Sequence, residues 1–217
     1  MADALEPDGP RIAVTPNGPY RLEGHVALRD ARGEDVTGES RVFLCRCGQS
    51  QSKPFCDGSH KRVGFVGTEV ADHGRMEDRR DTYEGDGIVL YDDRARCAHA
   101  GACTGGLPAV WKLGEEPWID PLGASADEIA AVVARCPSGA LTYARPGDTA
   151  TVEEPATPAV TAAPNGPYRV AASVPVVSAD GEPYEVRARQ TLCRCGQSKN
   201  KPFCDGSHWY AEFRDPA

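Results

Sequence analysis

Nine cysteines are the residues best suited to chemistry in this chain of 217 residues, and they fall into three groups of three. In chain order the groups are Cys45, Cys47 and Cys56; Cys97, Cys103 and Cys136; and Cys193, Cys195 and Cys204. His60 and His208 each stand four residues after the last cysteine of an outer group. Clustered cysteines with a histidine nearby, odd in number and without an export signal, indicate metal ligands rather than disulfides.

Each outer group follows the pattern C-x-C-x8-C-x3-H. Three thiolates and one imidazole fit a structural zinc ion, although zinc sites usually use a wider C-x2–4-C pair, and they also fit an iron–sulfur centre. Pro54 should stiffen the return of the chain toward Cys56. Asp57 is predicted to be the N-cap of a short helix that brings His60 back to the side of Cys56.

The outer groups belong to a duplicated unit. Residues 17–21, 44–50 and 53–60 recur at 165–169, 192–198 and 201–208 with a constant offset. This self-similarity predicts two copies of one structural module.

Each module is predicted to be a small antiparallel β-unit that ends at the cysteine pair. Short extended segments at 26–28 and 41–44 are matched to segments at 174–177 and 185–188, with turn residues between them.

The motif C-x-C-x2-S-x3-P-x-C-D-G-S-H occurs twice and resembles the CDGSH iron–sulfur (mitoNEET-like) family. The resemblance implies a 2Fe–2S cluster in each module, held by three Cys and one His, and two modules that pair within one chain. The implied ligands are Cys45, Cys47, Cys56 and His60 in the first module, and Cys193, Cys195, Cys204 and His208 in the second.

The middle group has a different spacing. Cys97 and Cys103 form C-x5-C, and Cys136 is followed by Pro137. Laid over the ferredoxin pattern C-x2-C-x2-C with a remote Cys-Pro, these residues match all ligands except the second, where Ala100 stands. A strand at 87–91, a helix that begins with a capping box at 125–128 and a strand at 138–143 complete the resemblance to divergent single-cluster ferredoxins.

Three thiolates in the middle group favour a 3Fe–4S cluster, because Ala100 offers no donor at the second position. A 4Fe–4S cluster with His99 or a solvent ligand on the fourth iron is the alternative. Three reduced structural thiols in a small core are a further reading.

We therefore predict an α+β protein in which two β-rich CDGSH modules form a pseudo-symmetric pair and a ferredoxin-like domain is inserted between them in sequence. The predicted segments are a tail at 1–12, module 1 at 13–68, a connector at 69–86, the ferredoxin-like domain at 87–145, a linker at 146–160 and module 2 at 161–217.

Composition narrows the possible partners. A formal charge of −8 without a basic run argues against nucleic acid or an anionic membrane surface. No apolar stretch approaches the length of a membrane span, and the acidic N-terminus lacks a signal-peptide pattern, so we expect a cytoplasmic protein.

We expect a soluble electron carrier, a monomer that exchanges electrons with an unidentified reductase or acceptor protein. Storage or transfer of clusters, and redox or pH sensing, are the alternatives. No catalytic residues are predicted. Arg46 and Arg194, each between paired cysteines, are expected either to offset cluster charge or to point to solvent.

Overall fold

A computed structural model describes residues 9–148 and 150–215. Its strands are β1 (Arg11–Val14), β2 (Tyr20–Glu23), β3 (Ala27–Arg29), β4 (Arg41–Leu44), β5 (Asp81–Gly85), β6 (Ile88–Asp92), β7 (Leu141–Ala144), β8 (Ala159–Ala162), β9 (Tyr168–Ala171), β10 (Val176–Val177) and β11 (Arg189–Leu192). Its helices are α1 (Ser59–Arg62), α2 (Ala102–Gly106), α3 (Ala126–Val133) and α4 (Ser207–Tyr210). Two compact units result, one from Arg75–Pro155 and the other from the residues on either side of it.

The unit that contains both outer cysteine groups is built from two four-stranded sheets, β10-β1-β2-β4 and β11-β9-β8-β3. Each sheet takes three strands from one module and one strand from the other. The exchanged strands run parallel to their new neighbours, with Ile12 opposite Val176 and Leu28 opposite Val160. The two modules therefore complete each other's sheets.

A single core is shared by the two modules. The rings of Tyr20 and Tyr168 meet edge to face at its centre, 6.1 Å apart. The aliphatic side chains around them come from equivalent positions of both modules: Ile12, Val14, Leu22, Leu28, Leu44, Val160, Val170, Val176 and Leu192. A module alone would expose the face that its partner now covers, so burial of apolar area favours the pair.

The last strand of module 2 corrects one sequence prediction. The segment 185–188 was matched to β4, but it forms no strand, and β11 at Arg189–Leu192 is the counterpart. The polar residues Gln190 and Thr191 are both buried in this strand, and the Gln190 side-chain amide donates to the Val174 carbonyl at 3.1 Å. Because these two consecutive buried residues are polar, the alternation of apolar and polar residues that marks a strand is missing from the sequence.

The middle unit is a three-stranded antiparallel sheet in the order β5-β6-β7. Helix α3 packs on it and begins with the predicted capping box, in which the Ser125 side chain accepts from the Glu128 amide. Its inward face, with Ile129 and Val133 fully buried, joins Leu90 in a small core.

Ordered strands extend into segments that the sequence analysis treats as tail, connector and linker. β5 lies inside 69–86, β1 begins within 1–12, and β8 begins within 146–160. In the described ranges, no helix has both the length and the apolar character needed to cross a bilayer.

Candidate metal centres

The first site is built where β4 ends. Cys45 follows the strand directly, and its Sγ lies 3.9 Å from the Sγ of Cys47. The returning chain is fastened to this strand, since the Cys45 amide donates to the Pro54 carbonyl and the Cys56 amide donates to the Phe43 carbonyl, both at 2.8 Å. We call the C-x-C segment of each module its hook (45–47 and 193–195).

A second pair of candidate ligand atoms, one sulfur and one imidazole nitrogen, faces the first hook. The Cys56 Sγ lies 3.4 Å from the Nδ1 of His60. The sequence predicted Asp57 as the N-cap of α1, and this prediction is wrong. Gly58 takes that position, with φ of 84°. The Asp57 carboxylate instead accepts the amides of Gln51 and Ser59, both at 2.9 Å. These hydrogen bonds, that from Gln51 above all, hold the pKa of Asp57 well below its usual range and fix the loop.

The second site repeats this arrangement in a more buried setting. Its sulfur–sulfur distance is again 3.9 Å, and the Cys204 Sγ lies 3.5 Å from the Nδ1 of His208. Cys204 and His208 are 3% and 6% exposed, whereas Cys56 and His60 are only half-buried. Burial lowers the pKa of His208, which favours the neutral imidazole that binds metal.

Each hook is electrostatically prepared for anionic sulfur. A hydrogen bond between the two sulfurs lowers the pKa of Cys45 to about 6 in the first hook and that of Cys195 to about 7 in the second, and it raises the pKa of Cys47 and Cys193. Each pair therefore holds one thiolate near neutral pH. Backbone amides also point at sulfur, as at Gln197, whose amide lies 3.4 Å from the Cys195 Sγ. Buried thiolates with amide donors fit an iron–sulfur centre.

The two hooks contact each other across the pseudo-twofold axis. A Cβ on Gly48 would lie 2.7 Å from the Cys195 carbonyl oxygen, and one on Gly196 would lie 2.8 Å from that of Cys47. Only glycine permits this approach, and both glycines have φ near +80°.

Tyrosines tie each hook to the opposite module. The Tyr20 hydroxyl lies 2.9 Å from the carbonyl oxygens of Cys193 and Pro202. Its counterpart Tyr168 contacts the carbonyls of Cys45 and Pro54 at the same distance. Sequence reasoning assigned these tyrosines no role, although their place in the repeated N-G-P-Y-R segment was a signal.

Arg46 and Arg194 point into the protein and not to solvent, with 1% of each residue exposed. Their burial excludes the solvent-facing orientation, which was one of the two alternatives expected from sequence.

The middle site lies in a cleft of about 810 Å³. Cys97, Cys103 and Cys136 line it together with His99 and Ala100. Burial raises the pKa of the Cys103 thiol, and the neighbouring Cys97 and Cys136 raise it further. Ala100 and His99 are both exposed on the loop that carries Cys97.

Two hydrogen-bond donors lie near the sulfur of Cys97. The His99 amide lies 3.4 Å from it, and the Arg94 guanidinium lies 3.8 Å away. Arg94 is held over the Trp118 ring, 3.8 Å from its centre, and pairs with Asp92 at 3.0 Å. Arg94 stands three residues before Cys97 but is not part of the ferredoxin ligand pattern, so sequence reasoning missed it. The donor set again fits a thiolate-held cluster.

All nine cysteines lie in described residues and are free of disulfides. Within 9–148 and 150–215, no three His, Cys, Asp or Glu side chains converge on a single ion position. The outer ligands stand in pairs, Cys45 with Cys47 and Cys56 with His60, and the second module repeats these pairs.

Comparison with known families agrees with this architecture. The family described as iron-binding zinc finger, CDGSH type, matches residues 17–61 and again 165–209. The family described as divergent 4Fe-4S mono-cluster matches residues 83–146. The chain therefore contains two CDGSH-type iron-binding modules, one on each side in sequence of a divergent 4Fe-4S mono-cluster domain.

Among curated proteins, the chain is similar to uncharacterized protein YjdI of Escherichia coli strain K12. The two are 38% identical over 61 residues, which is 28% of this chain and 80% of YjdI. The protein of the same name from Escherichia coli O157:H7 matches to the same extent.

Proposed function

We propose that the protein is a three-centre electron carrier, in which each CDGSH module holds a 2Fe–2S cluster on its Cys3His set and the middle unit holds a cluster on Cys97, Cys103 and Cys136. Bound clusters would supply one-electron redox chemistry. The observation that supports the proposal is the close approach of each hook to the glycine that follows the other hook, which brings the two proposed 2Fe–2S sites to one shared core.

The chain's own residues favour this use of the outer sites. Paired donors match a two-iron centre, in which each iron needs two protein ligands. Neutral histidine in place of an anionic thiolate raises the reduction potential relative to an all-cysteine site. Burial of the hooks and the amides directed at sulfur exclude water and stabilise negative charge.

At the middle site we propose a 3Fe–4S cluster in the protein as isolated. The support is Ala100, which lies on the loop at the second ligand position and has no donor atom. The alternative 4Fe–4S cluster would use His99 or solvent on the fourth iron.

Ala100→Cys and His99→Ala test the middle site by electron paramagnetic resonance. The parent should give an oxidised three-iron signal, and Ala100→Cys should bind a fourth iron and become silent when oxidised. His99→Ala should leave the parent signal in place. A parent site that holds four irons and loses one on His99→Ala would make His99 a ligand and the three-iron assignment wrong.

Iron and sulfide counts with a redox titration test the proposed function as a whole. We expect two 2Fe–2S centres and one further cluster, all reducible and reoxidisable without loss of iron. The half-buried Cys56–His60 pair favours cluster transfer as a second candidate, because it leaves the first site open to an acceptor. Stoichiometric delivery of one cluster to an apo-ferredoxin, in place of reversible electron transfer, would support that candidate.

A further inference from the structure

We infer that Asp215 makes the two CDGSH sites electrostatically unequal, so that an electron resides preferentially at the first site. This inference rests on the proposed electron-carrier function. It concerns a residue outside both ligand sets and the charge balance around each hook.

The two hook arginines occupy closely matched environments. Arg46 and Arg194 lie at the same position between paired cysteines and are equally buried. Their guanidinium carbons lie 5.6 Å from the ring centre of Tyr20 and 5.5 Å from that of Tyr168. Each also faces a phenylalanine from the segment that follows the histidine ligand, at 5.4 Å and 5.1 Å.

The backbone that ends each of these segments is also held alike. The Gly67 amide donates to the Asn17 side chain at 2.9 Å, and the Asp215 amide donates to the Asn165 side chain at 2.8 Å. Positions 67 and 215 are thus equivalent in the repeat and in space. They differ in that one carries a carboxylate and the other has no side chain.

That difference changes the charge beside each hook. Asp215, its side chain 5% exposed, forms an ion pair with Arg194, which also donates to the Ala163 and Gly166 carbonyls at 2.7 and 2.9 Å. Arg46 donates to the carbonyls of Thr15, at 3.1 Å, and Gly67.

In the part of the chain that the structure describes, no carboxylate pairs with Arg46, and its Nε has no hydrogen-bond partner. Glycine at position 67 leaves Arg46 without a carboxylate partner, because it has no side chain. A Cβ there would overlap the Arg46 Nη2, so the guanidinium occupies the space that a side chain would need.

The charge beside each hook then determines which of the two CDGSH sites has the higher reduction potential. A guanidinium stays charged at all accessible pH values, and a buried charge is screened little by solvent or salt. The first hook therefore carries an unbalanced positive charge that stabilises an added electron. At the second hook the Asp215 carboxylate opposes the charge of Arg194. With clusters bound, transfer of one electron between the sites would oxidise one cluster and reduce the other.

Asp215→Asn in the full-length holoprotein tests the inference, with a redox titration followed by spin resonance and absorbance. In the parent we expect the two CDGSH potentials to differ by at least tenfold in the one-electron equilibrium, which is about 59 mV. Asp215→Asn should raise the lower potential toward the higher one and leave the higher one in place. Asp215→Glu should keep the parental gap, and Glu212→Gln, which removes an exposed charge from the same segment, should change neither.

His208→Cys identifies which of the two measured potentials belongs to the second site, because its added anionic ligand lowers the potential of that site alone. It should displace the lower of the two parental potentials, and this result stands even if Asp215→Asn fails to retain its cluster. Displacement of the higher potential, equal parental potentials, or an Asp215→Asn shift in both waves or in neither would overturn the inference. Absence of any 2Fe–2S signal from the intact protein would overturn the proposed function as well.

Discussion

The first and second CDGSH sites hold the same four ligand types in nearly the same local geometry, yet their surroundings differ. Sulfur–sulfur distances agree at 3.9 Å, and sulfur–imidazole distances differ by 0.1 Å, at 3.4 and 3.5 Å. The histidine ligand is half-buried in the first site and 6% exposed in the second.

The residues that follow each histidine differ in character. Lys61 and Arg62 follow the first, and the exposed Trp209 and Tyr210 follow the second. Duplication thus preserved the ligand geometry while burial, charge and surface diverged. Two chemically identical ligand sets can therefore be made functionally distinct by residues that never touch the metal.

Removal of residues 161–217 is expected to have the largest effect, because it tests whether either site exists without the other. β1 would lose its parallel partner β10, and the core face around Tyr20 would be exposed. We expect the truncated chain to dimerise or aggregate, while the full chain sediments as a monomer. A truncated chain that stays monomeric with an intact cluster would show that the modules are independent.

Acidification should separate the two sites next. Burial lowers the pKa of His208, so its neutral, metal-binding form persists below the ordinary value near 6.5. The unfolded chain then binds more protons than the folded one in this range, so the free energy of unfolding falls as pH falls. The first site is more open to solvent, because Cys56 and His60 are only half-buried, and we expect its cluster to be lost first.

Absorbance decay at about pH 5 to 6 checks this order in the parent and in two ligand variants. His60→Cys should remove the faster phase, and His208→Cys the slower one. Decay in a single phase that His60→Cys leaves unchanged would contradict the expected difference.

Gly67→Ala sharpens the comparison at the position equivalent to Asp215. Its Cβ would overlap the Arg46 guanidinium, and overpacking of this kind costs typically about 1–3 kcal/mol. Gly38→Ala is the matched control in the same unit, because its Cβ would make only an ordinary contact with Val42 at 3.6 Å. Denaturant unfolding measures both variants, and equal stability of the two would contradict the close approach of Arg46.

Tyr20→Phe and Tyr168→Phe should have the smallest effects and should be equal. Each variant removes a hydroxyl that contacts a buried carbonyl oxygen of the opposite hook. The free energy of unfolding should fall by about 1 kcal/mol. The effect should cross over, so that Tyr20→Phe perturbs the spectrum of the second site and Tyr168→Phe that of the first. A change confined to the variant's own module would be the contrary result.

Local spacing accounts for what the sequence predicted well. A C-x-C pair and a C-x3-H pair need only a few residues of backbone to meet, and the capping box at Ser125 lies within one helical turn. The strand exchange was not predictable, because Leu28 reads as the same apolar strand residue whichever module it joins. β11 was misplaced because two of its buried residues, Gln190 and Thr191, are polar.

The charge difference between the sites was equally hidden from sequence reasoning. Asp215 lies 21 residues from Arg194 in sequence, and nothing in the spacing marks them as partners. Gly67 reads as an ordinary loop glycine until the space around it is known. Burial of Arg46 also runs against the usual preference of arginine for the surface.

The exchange of β3 and β8 has a consequence for the order of events during synthesis. Arg29 pairs with Thr161, so β3 of the first module cannot pair until a strand 132 residues later in the chain has been synthesised. At translation rates of about 5–20 residues per second, that delay is about 7 to 26 s. The contiguous middle unit can fold within this interval. The thiols of Cys45, Cys47 and Cys56 meanwhile remain in a nascent chain whose shared core is incomplete, so cluster insertion into module 1 is expected to be post-translational.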